Sequence, residues 1–331
     1  MMRLLTTVLP LLLLVSALVG CADAEVGTKR RPFTMYFVPH QDTDGILTTA
    51  KGASDFVAKH VSQGLYGKDD GFYVKTAIPV DYVAVVEAFG TKKADFATVH
   101  TFAYILAHDI KHYDVEPILT VVRGENERTY VGQIIVRSDS KINSIKDLEG
   151  KKFAFTDPSS TSGFLLPKKL FDEQGVKLGE FVFGKKHDTV VAMVYQGQVD
   201  AGATYYSPPL EVEKDGKKTL EYRDARKRVV TQFPDVFEKI KIIGFTEKSP
   251  NEPWIIRNGL YKDAEKEALV KKLVKEALVA YSKTPQGAAA LAQYYDLTGL
   301  VDASSDMYVG IRDLVLKSDI NIESMFKQQK K

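Results

Sequence analysis

Two separate series of short β-rich runs alternating with helical patterns run through this chain, joined by β segments that leave the first series and later return to it. Alternation of this kind layers helices on a mostly parallel sheet, and two series of similar size predict two lobes. The first series starts with a strand at 33–38 (FTMYFV), stopped by Pro39, and a helix from Thr43 or Asp44 to about Val61. A strand at 73–78 follows, then a helix at 82–89 with Val83, Val86 and Phe89 on one side, a strand at 95–99 and a helix at 101–108. The β-rich runs 116–122 and 130–136 flank a polar turn at 123–128, and a short helix at 144–148 is ended by Gly150.

The second series comprises a strand at 152–156, a helix at 163–174, a strand at 181–183, a helix at 189–196 and a strand at 200–205. Segments 241–245 and 254–257 read as the return crossing. The amphipathic helix 263–282 is expected to turn Leu269, Leu273, Ala277 and Tyr281 inward, with the pairs Glu267–Lys271 and Lys272–Glu276 outward. Lobe 1 is therefore assigned to 33–128 with 250–331, and lobe 2 to 129–249. A cleft between two such lobes is a hinge-closing ligand site.

The first residues carry an export signal. Arg3 supplies a positive start, and 4–19 is an apolar run broken only by Thr6, Thr7, Pro10 and Ser16, ending at Leu18-Val19-Gly20-Cys21. A spanning helix needs about 20 apolar residues, whereas this run stops at Gly20-Cys21 and meets the polar stretch 22–31. The ending has the lipobox form, which predicts removal of 1–20, acylation of Cys21 and a flexible tether over 21–32. The alternative is ordinary cleavage with an incidental cysteine. Cys21 is the only cysteine, so no intrachain disulfide can form. The net charge of +2 and the short basic runs 29–31 and 226–228, free of interleaved aromatics, argue against nucleic-acid binding.

The segment with the clearest chemistry is KFAFTDPSSTSGFLLP at 152–167, a strand running into a hydroxyl-rich turn and then a helix. The first N–H groups of a helix have no intrahelical partner, and the helix dipole favours negative charge there. Ser160, Thr161 and Ser162 add hydroxyl donors, and Gly163 is expected to let an oxyanion approach the backbone. Ser and Thr are also ordinary helix caps. The turn has no lysine and Lys168 comes a helical turn later, so the pattern is not a nucleotide-binding P-loop. It suits a small tetrahedral anion held by neutral donors at about 1.5–3 kcal/mol each. A few such bonds reach the roughly 8 kcal/mol of a micromolar site.

In the segment GKKHDTVVAMVYQGQVDAG at 184–202, His187 follows a strand and Asp188 is placed to cap the next helix. Alone, His187 reads as a turn histidine. Its placement brings it to the same sheet edge as the Ser160 turn, where α/β folds bind ligands.

These motifs, with Tyr130 before the 134–140 strand and turn and Asp81-Tyr82 before an apolar helix, resemble the phosphonate/phosphite-binding family of periplasmic proteins serving ABC importers. The resemblance covers nearly the whole mature chain. It implies an α/β, two-lobed type II periplasmic binding protein fold with a hinge and an interlobe ligand cleft. It also implies that Ser160, Thr161 and Ser162 hold ligand oxygens with His187, that Tyr82 and Tyr130 are pocket tyrosines, and that Glu252, within Ser249-Pro-Asn-Glu-Pro253, stands where the family has a carboxylate. The chain departs from the family at two places. Tyr205-Tyr206-Ser207 replaces a carboxylate found in members that bind aminoalkyl phosphonates, so the two tyrosines are expected to add bulk and the pocket to favour ligands without an amine. Val99-His100-Thr101 differs from the usual turn and places His100 and Thr101 toward the cleft, a structural turn role being the alternative for His100. His40, in a loop after the first strand, is a weaker candidate.

The expected function is a lipid-anchored, exported solute-binding protein, monomeric, taking a small phosphorus oxyanion to an ABC permease in the membrane. The alternative is a sensor of an oxyanion that docks on a membrane histidine kinase. Catalysis is not expected, since there is no Gly-x-Ser-x-Gly elbow and no carboxylate spaced to orient a histidine base. The histidines at 40, 60, 100, 108, 112 and 187 fall in different elements, and neither metal nor cofactor is implied.

Overall fold

The computed structural model describes residues 24–38, 43–214 and 216–317; the leader with Cys21, His40 and the part of lobe 1 assigned beyond 317 lie outside the described residues. Strands β1 (Phe33–Tyr36), β2 (Val74–Ala77), β3 (Phe96–Thr98), β4 (Val115–Arg123), β12 (Pro253–Arg257) and β13 (Leu297–Asp302) form a six-stranded sheet in the order β13-β4-β12-β3-β1-β2. A five-stranded sheet has the order β11-β5-β8-β6-β7, from β5 (Thr129–Arg137), β6 (Lys152–Phe155), β7 (Glu180–Phe183), β8 (Ala201–Tyr206) and β11 (Ile240–Pro250). A separate hairpin pairs β9 (Leu210–Lys214) with β10 (Lys217–Glu221), a feature absent from the sequence reading.

Neither sheet is mostly parallel, which corrects the expectation. β1 runs parallel to β2 and β3, and β6 to β7 and β8, because helices return the chain between them. β12 is antiparallel to both β3 and β4, and β5 to both β8 and β11. β5 and β12 each enter their sheet from the other lobe, with no crossover helix to set them parallel. β4 and β5, adjacent in sequence, lie in different sheets, so the 123–128 turn is a crossing between lobes. The return runs from β11 to β12 through Asn251 and Glu252. The two crossings are bound together: Asn251 N donates to Arg128 O (2.9 Å), and its side-chain amide donates to Val121 O (2.9 Å) and Glu127 O (2.8 Å).

The helices also differ in detail. Helix Ala264–Lys283, capped by Asp263, buries Val270, Leu273, Val274, Ala277, Leu278 and Tyr281, while Leu269 is 41% exposed. Leu273, Ala277 and Tyr281 face inward as expected, and Val270, Val274 and Leu278 widen the stripe because the helix packs on helix Thr43–Tyr66 as well as on β13. In helix Tyr82–Gly90 the inward positions are Tyr82, Val85, Val86, Ala88 and Phe89, with Val83 only half-buried. Helix Thr101–Ile105 continues as a π-type turn at Leu106–Ile110, and a π-type turn at Thr161–Leu165 precedes helix Leu166–Gln174. Behind that second turn, Phe153 and Phe171 meet edge-to-face at 5.1 Å and Phe155 and Phe164 at 5.2 Å, a dry wall holding the turn from below.

Residues 25–32, assigned by the sequence to a tether, pack on the six-stranded sheet's lobe. Val26 is buried and its carbonyl accepts from the Tyr261 hydroxyl at 2.8 Å. Arg31 makes a forked pair with Asp95 (2.8 Å to each oxygen), which also accepts from Arg257 (2.9 Å) and the Thr34 amide (2.9 Å). Asp95 is fully buried, so its carboxylate depends on these donors. Asp95→Ala is expected to cost about 3–5 kcal/mol, because it leaves the buried Arg257 uncompensated. The urea midpoint should fall at unchanged slope; an unaltered midpoint would exclude this role.

Candidate ligand-binding site

The turn after β6 is organised by Asp157, whose Oδ1 accepts from Ser159 N (2.8 Å) and Ser159 Oγ (2.7 Å). Ser160 is the helix cap, its Oγ accepting from Gly163 N at 3.1 Å, so the plain capping role holds for this residue. Gly163 is needed for packing: a Cβ there would lie 2.2 Å from Thr156 Oγ1. Gly132 of β5 has the same function, since a Cβ would lie 2.7 Å from the Ser162 carbonyl. Both glycines let the hydroxyl turn sit tightly on the sheet edge.

Thr156 Oγ1 donates to Ala203 O (3.1 Å) and lies 3.2 Å from His187 Nδ1. A threonine hydroxyl has one hydrogen, so Nδ1 is the donor in this contact and a neutral His187 keeps Nε2 as acceptor. His187 is the first residue of helix His187–Tyr195, with Lys186 at the cap position; Asp188, which the sequence placed as the cap, lies instead in the first turn and accepts from Thr189 N (2.7 Å).

The other lobe meets this turn directly. Phe102 N, in the first turn of helix Thr101–Ile105, donates to Thr161 Oγ1 at 2.9 Å. Thr101 Oγ1 donates to Pro250 O at 3.0 Å, turning its hydroxyl to the return crossing. Tyr82, at the start of a helix capped by Asp81 (Ala84 N to Oδ1, 2.8 Å), packs against the His100 ring at 4.3 Å with the planes tilted by 43°. His100 in turn lies 6.5 Å from His187, and His187 lies 5.0 Å from Tyr205. The Tyr130 hydroxyl lies beside the side chains of Thr161 and Ser162, and burial pushes its phenol above the ordinary range.

Tyr82, Thr101, Tyr130, Ser160, Thr161, Ser162, His187 and Glu252 are all buried, drawn from both lobes into one continuous set of contacts. Two residues change role. Tyr206 packs on Phe245 at 4.7 Å, and only Tyr205 lies against His187, because neighbouring strand residues face opposite sides. Glu252 is ion-paired: its Oε2 accepts from Arg123 Nη1 at 2.8 Å, with the side chains 9% and 6% exposed. Sequence reading passed over Arg123 as the start of a polar turn; an arginine ending the apolar run 115–122 was the available signal. Its guanidinium lies 5.8 Å from the Tyr130 ring centre.

The arrangement is a dry junction of hydroxyls, helix N-terminal amides and uncharged rings. Burial would raise the Glu252 pKa, but the charge and hydrogen bond of Arg123 hold it below the ordinary value. Burial lowers His100 to about 4, the nearby Glu252 opposing this and Arg123 adding to it. Burial, then the neighbouring His100, takes His187 well below its ordinary value. Both rings are therefore neutral at physiological pH. Among the described residues no group of three or more His, Cys, Asp or Glu could hold a metal, and no helix is long and apolar enough to cross a membrane.

Neutral buried imidazoles make stability depend on pH. Both folded-state values lie below the unfolded value of about 6.5, so the unfolded chain takes up more protons as pH falls through that window. Stability is fully present above pH 6.5 and is lost toward pH 4. Denaturation at pH 7 and pH 5 should show the loss, and His100→Asn should reduce it. An equal loss in that variant would exclude His100 as a contributor.

Comparison with known proteins accords with this geometry. The phosphate-import protein PhnD of Mycolicibacterium smegmatis is 33% identical over 150 residues, 42% of this chain and 46% of the relative. The phosphonates-binding periplasmic protein of Escherichia coli is 25% identical over 256 residues, 74% of this chain and 67% of the relative. The chain thus spans about half the length of the first and two thirds of the second. Two solved structures share the fold. PhnD1 of Prochlorococcus marinus in complex with methylphosphonate has a TM-score of 0.67 at 19% identity, covering 86% of this chain and 97% of that one. A binding-protein component of an ABC phosphonate transporter from Pseudomonas aeruginosa has a TM-score of 0.68 at 18% identity, covering 93% and 94%. These likenesses make the fold that of a type II periplasmic binding protein. The family of ABC-transporter phosphonate periplasmic substrate-binding proteins matches residues 36–308, and the chain belongs to it.

Proposed function

We propose that this protein is a lipid-anchored, extracytoplasmic solute-binding protein of an ABC importer, taking a small phosphorus oxyanion: a phosphonate, phosphite or phosphate-like anion. The observation that carries the reading is the meeting of two helix starts. The amide of Phe102 from one lobe reaches the Thr161 hydroxyl of the other, beside Ser162 and the Tyr130 hydroxyl. A contact of this kind, placing the hydroxyl turn of one lobe against a helix start of the other, suits an anion that both lobes must grip. The ligand's oxygens would take hydrogen bonds from Ser160, Thr161 and Ser162, with His187 and Tyr82 completing the wall. Membership of an ABC-transporter family favours import over the sensor reading, and a membrane permease is the partner this implies. Cys21, at the end of the leader, is the proposed lipid attachment point, with a monomer delivered to the permease.

Titration calorimetry with methylphosphonate and phosphite tests the ligand site. Thr161→Ala is expected to weaken binding by about 1.5–3 kcal/mol. Ser160→Ala should weaken it similarly and also cost about 1 kcal/mol of stability through the lost cap. Unchanged affinity in both variants would remove the turn from the site. A separate fractionation experiment tests the anchor: Cys21→Ser should release the mature chain from membranes, since stable anchoring needs more than one acyl chain. Retention of that variant in the membrane fraction would rule out Cys21 as the anchor.

A further inference from the structure

Glu252 lies in the wall of the candidate site and could meet an ammonium group on a ligand. It is already engaged, with Oε2 accepting from Arg123 Nη1 at 2.8 Å and both side chains buried. The guanidinium lies 5.8 Å from the ring of Tyr130, whose hydroxyl lies beside Thr161 and Ser162, so the pair borders the hydroxyl turn. Beside it is a small cavity whose walls are mainly apolar, with His100 and the hydroxyls of Thr98 and Tyr294, already bonded to each other at 3.0 Å, as its other polar groups. An ammonium group entering there would find a carboxylate neutralised at contact distance, a fixed cation next to it, and otherwise mainly apolar walls. Burying an ammonium without an ionic partner is strongly unfavourable. A hydrogen or a methyl group incurs no such penalty.

Resting on the phosphorus-oxyanion reading, we infer that Arg123 is a specificity-determining residue. By neutralising Glu252 it closes the site to ammonium-bearing ligands and leaves it to anions with a small apolar substituent.

Competition calorimetry with methylphosphonate and 2-aminoethylphosphonate tests this on wild type, Arg123→Met and Arg123→Met/Glu252→Leu. Wild type is expected to bind methylphosphonate at least tenfold more tightly. Arg123→Met, which releases the carboxylate, should move the ratio at least tenfold toward the amine. The double variant, with no buried charge left at this position, should return to the wild-type order. A tighter amine ligand in wild type overturns the inference, and this is readable even if the single variant does not fold. So does an unchanged ratio in Arg123→Met, or a shift that survives removal of Glu252. If wild type binds neither compound the specificity role falls, and if it also fails to bind phosphite and phosphate the oxyanion reading falls with it. If it binds methylphosphonate and the ratio ignores Arg123, only the specificity role falls.

Discussion

The joint between the lobes depends on the clasp at the two crossings. β4 leaves the first sheet at Arg123, β11 returns at Pro250, and Asn251 and Glu252 hold the outgoing chain through Val121, Glu127 and Arg123. Asn251, Glu252, Arg123 and Val121 are buried, so a partner lost from them would leave a polar group without water to replace it. The clasp sets how the sheets face each other. It therefore decides that the start of helix Thr101–Ile105 points at the turn after β6. The hydrogen bond from Phe102 to Thr161 is a consequence of that placement.

Charge is handled differently at the clasp and at the hydroxyl turn. At the clasp, opposite charges meet in contact and cancel. At the turn, the donors are hydroxyls and amides, and the rings of His100 and His187 are neutral because burial disfavours their protonated form. A site built from neutral donors avoids burying an uncompensated cation when empty. It can still offer several hydrogen bonds to an anion that arrives with its own charge. On the proposed reading, an anion held by residues of both lobes would couple its capture to closure.

Much of the fold was legible in the chain itself. Alternating strands and helices, the helix starts near Asp81 and Asp263, and the hydroxyl turn at 160–162 are local patterns governed by backbone sterics and hydrogen bonding, so a short window of sequence suffices to read them. The family motifs likewise led to Tyr82, Tyr130, His187 and Glu252. What the sequence could not reveal depended on contacts between distant segments. Antiparallel entry of β5 and β12, the inward turn of Val270 instead of Leu269, and the packing of residues 25–32 through Arg31 and Asp95 are examples. Each is settled by a surface that approaches from elsewhere in the chain. Arg123 is the clearest case. It lies 129 residues from Glu252 in sequence, and only the tertiary structure, by bringing the two crossings together out of water, turns a polar-turn arginine and a lone carboxylate into one neutral pair.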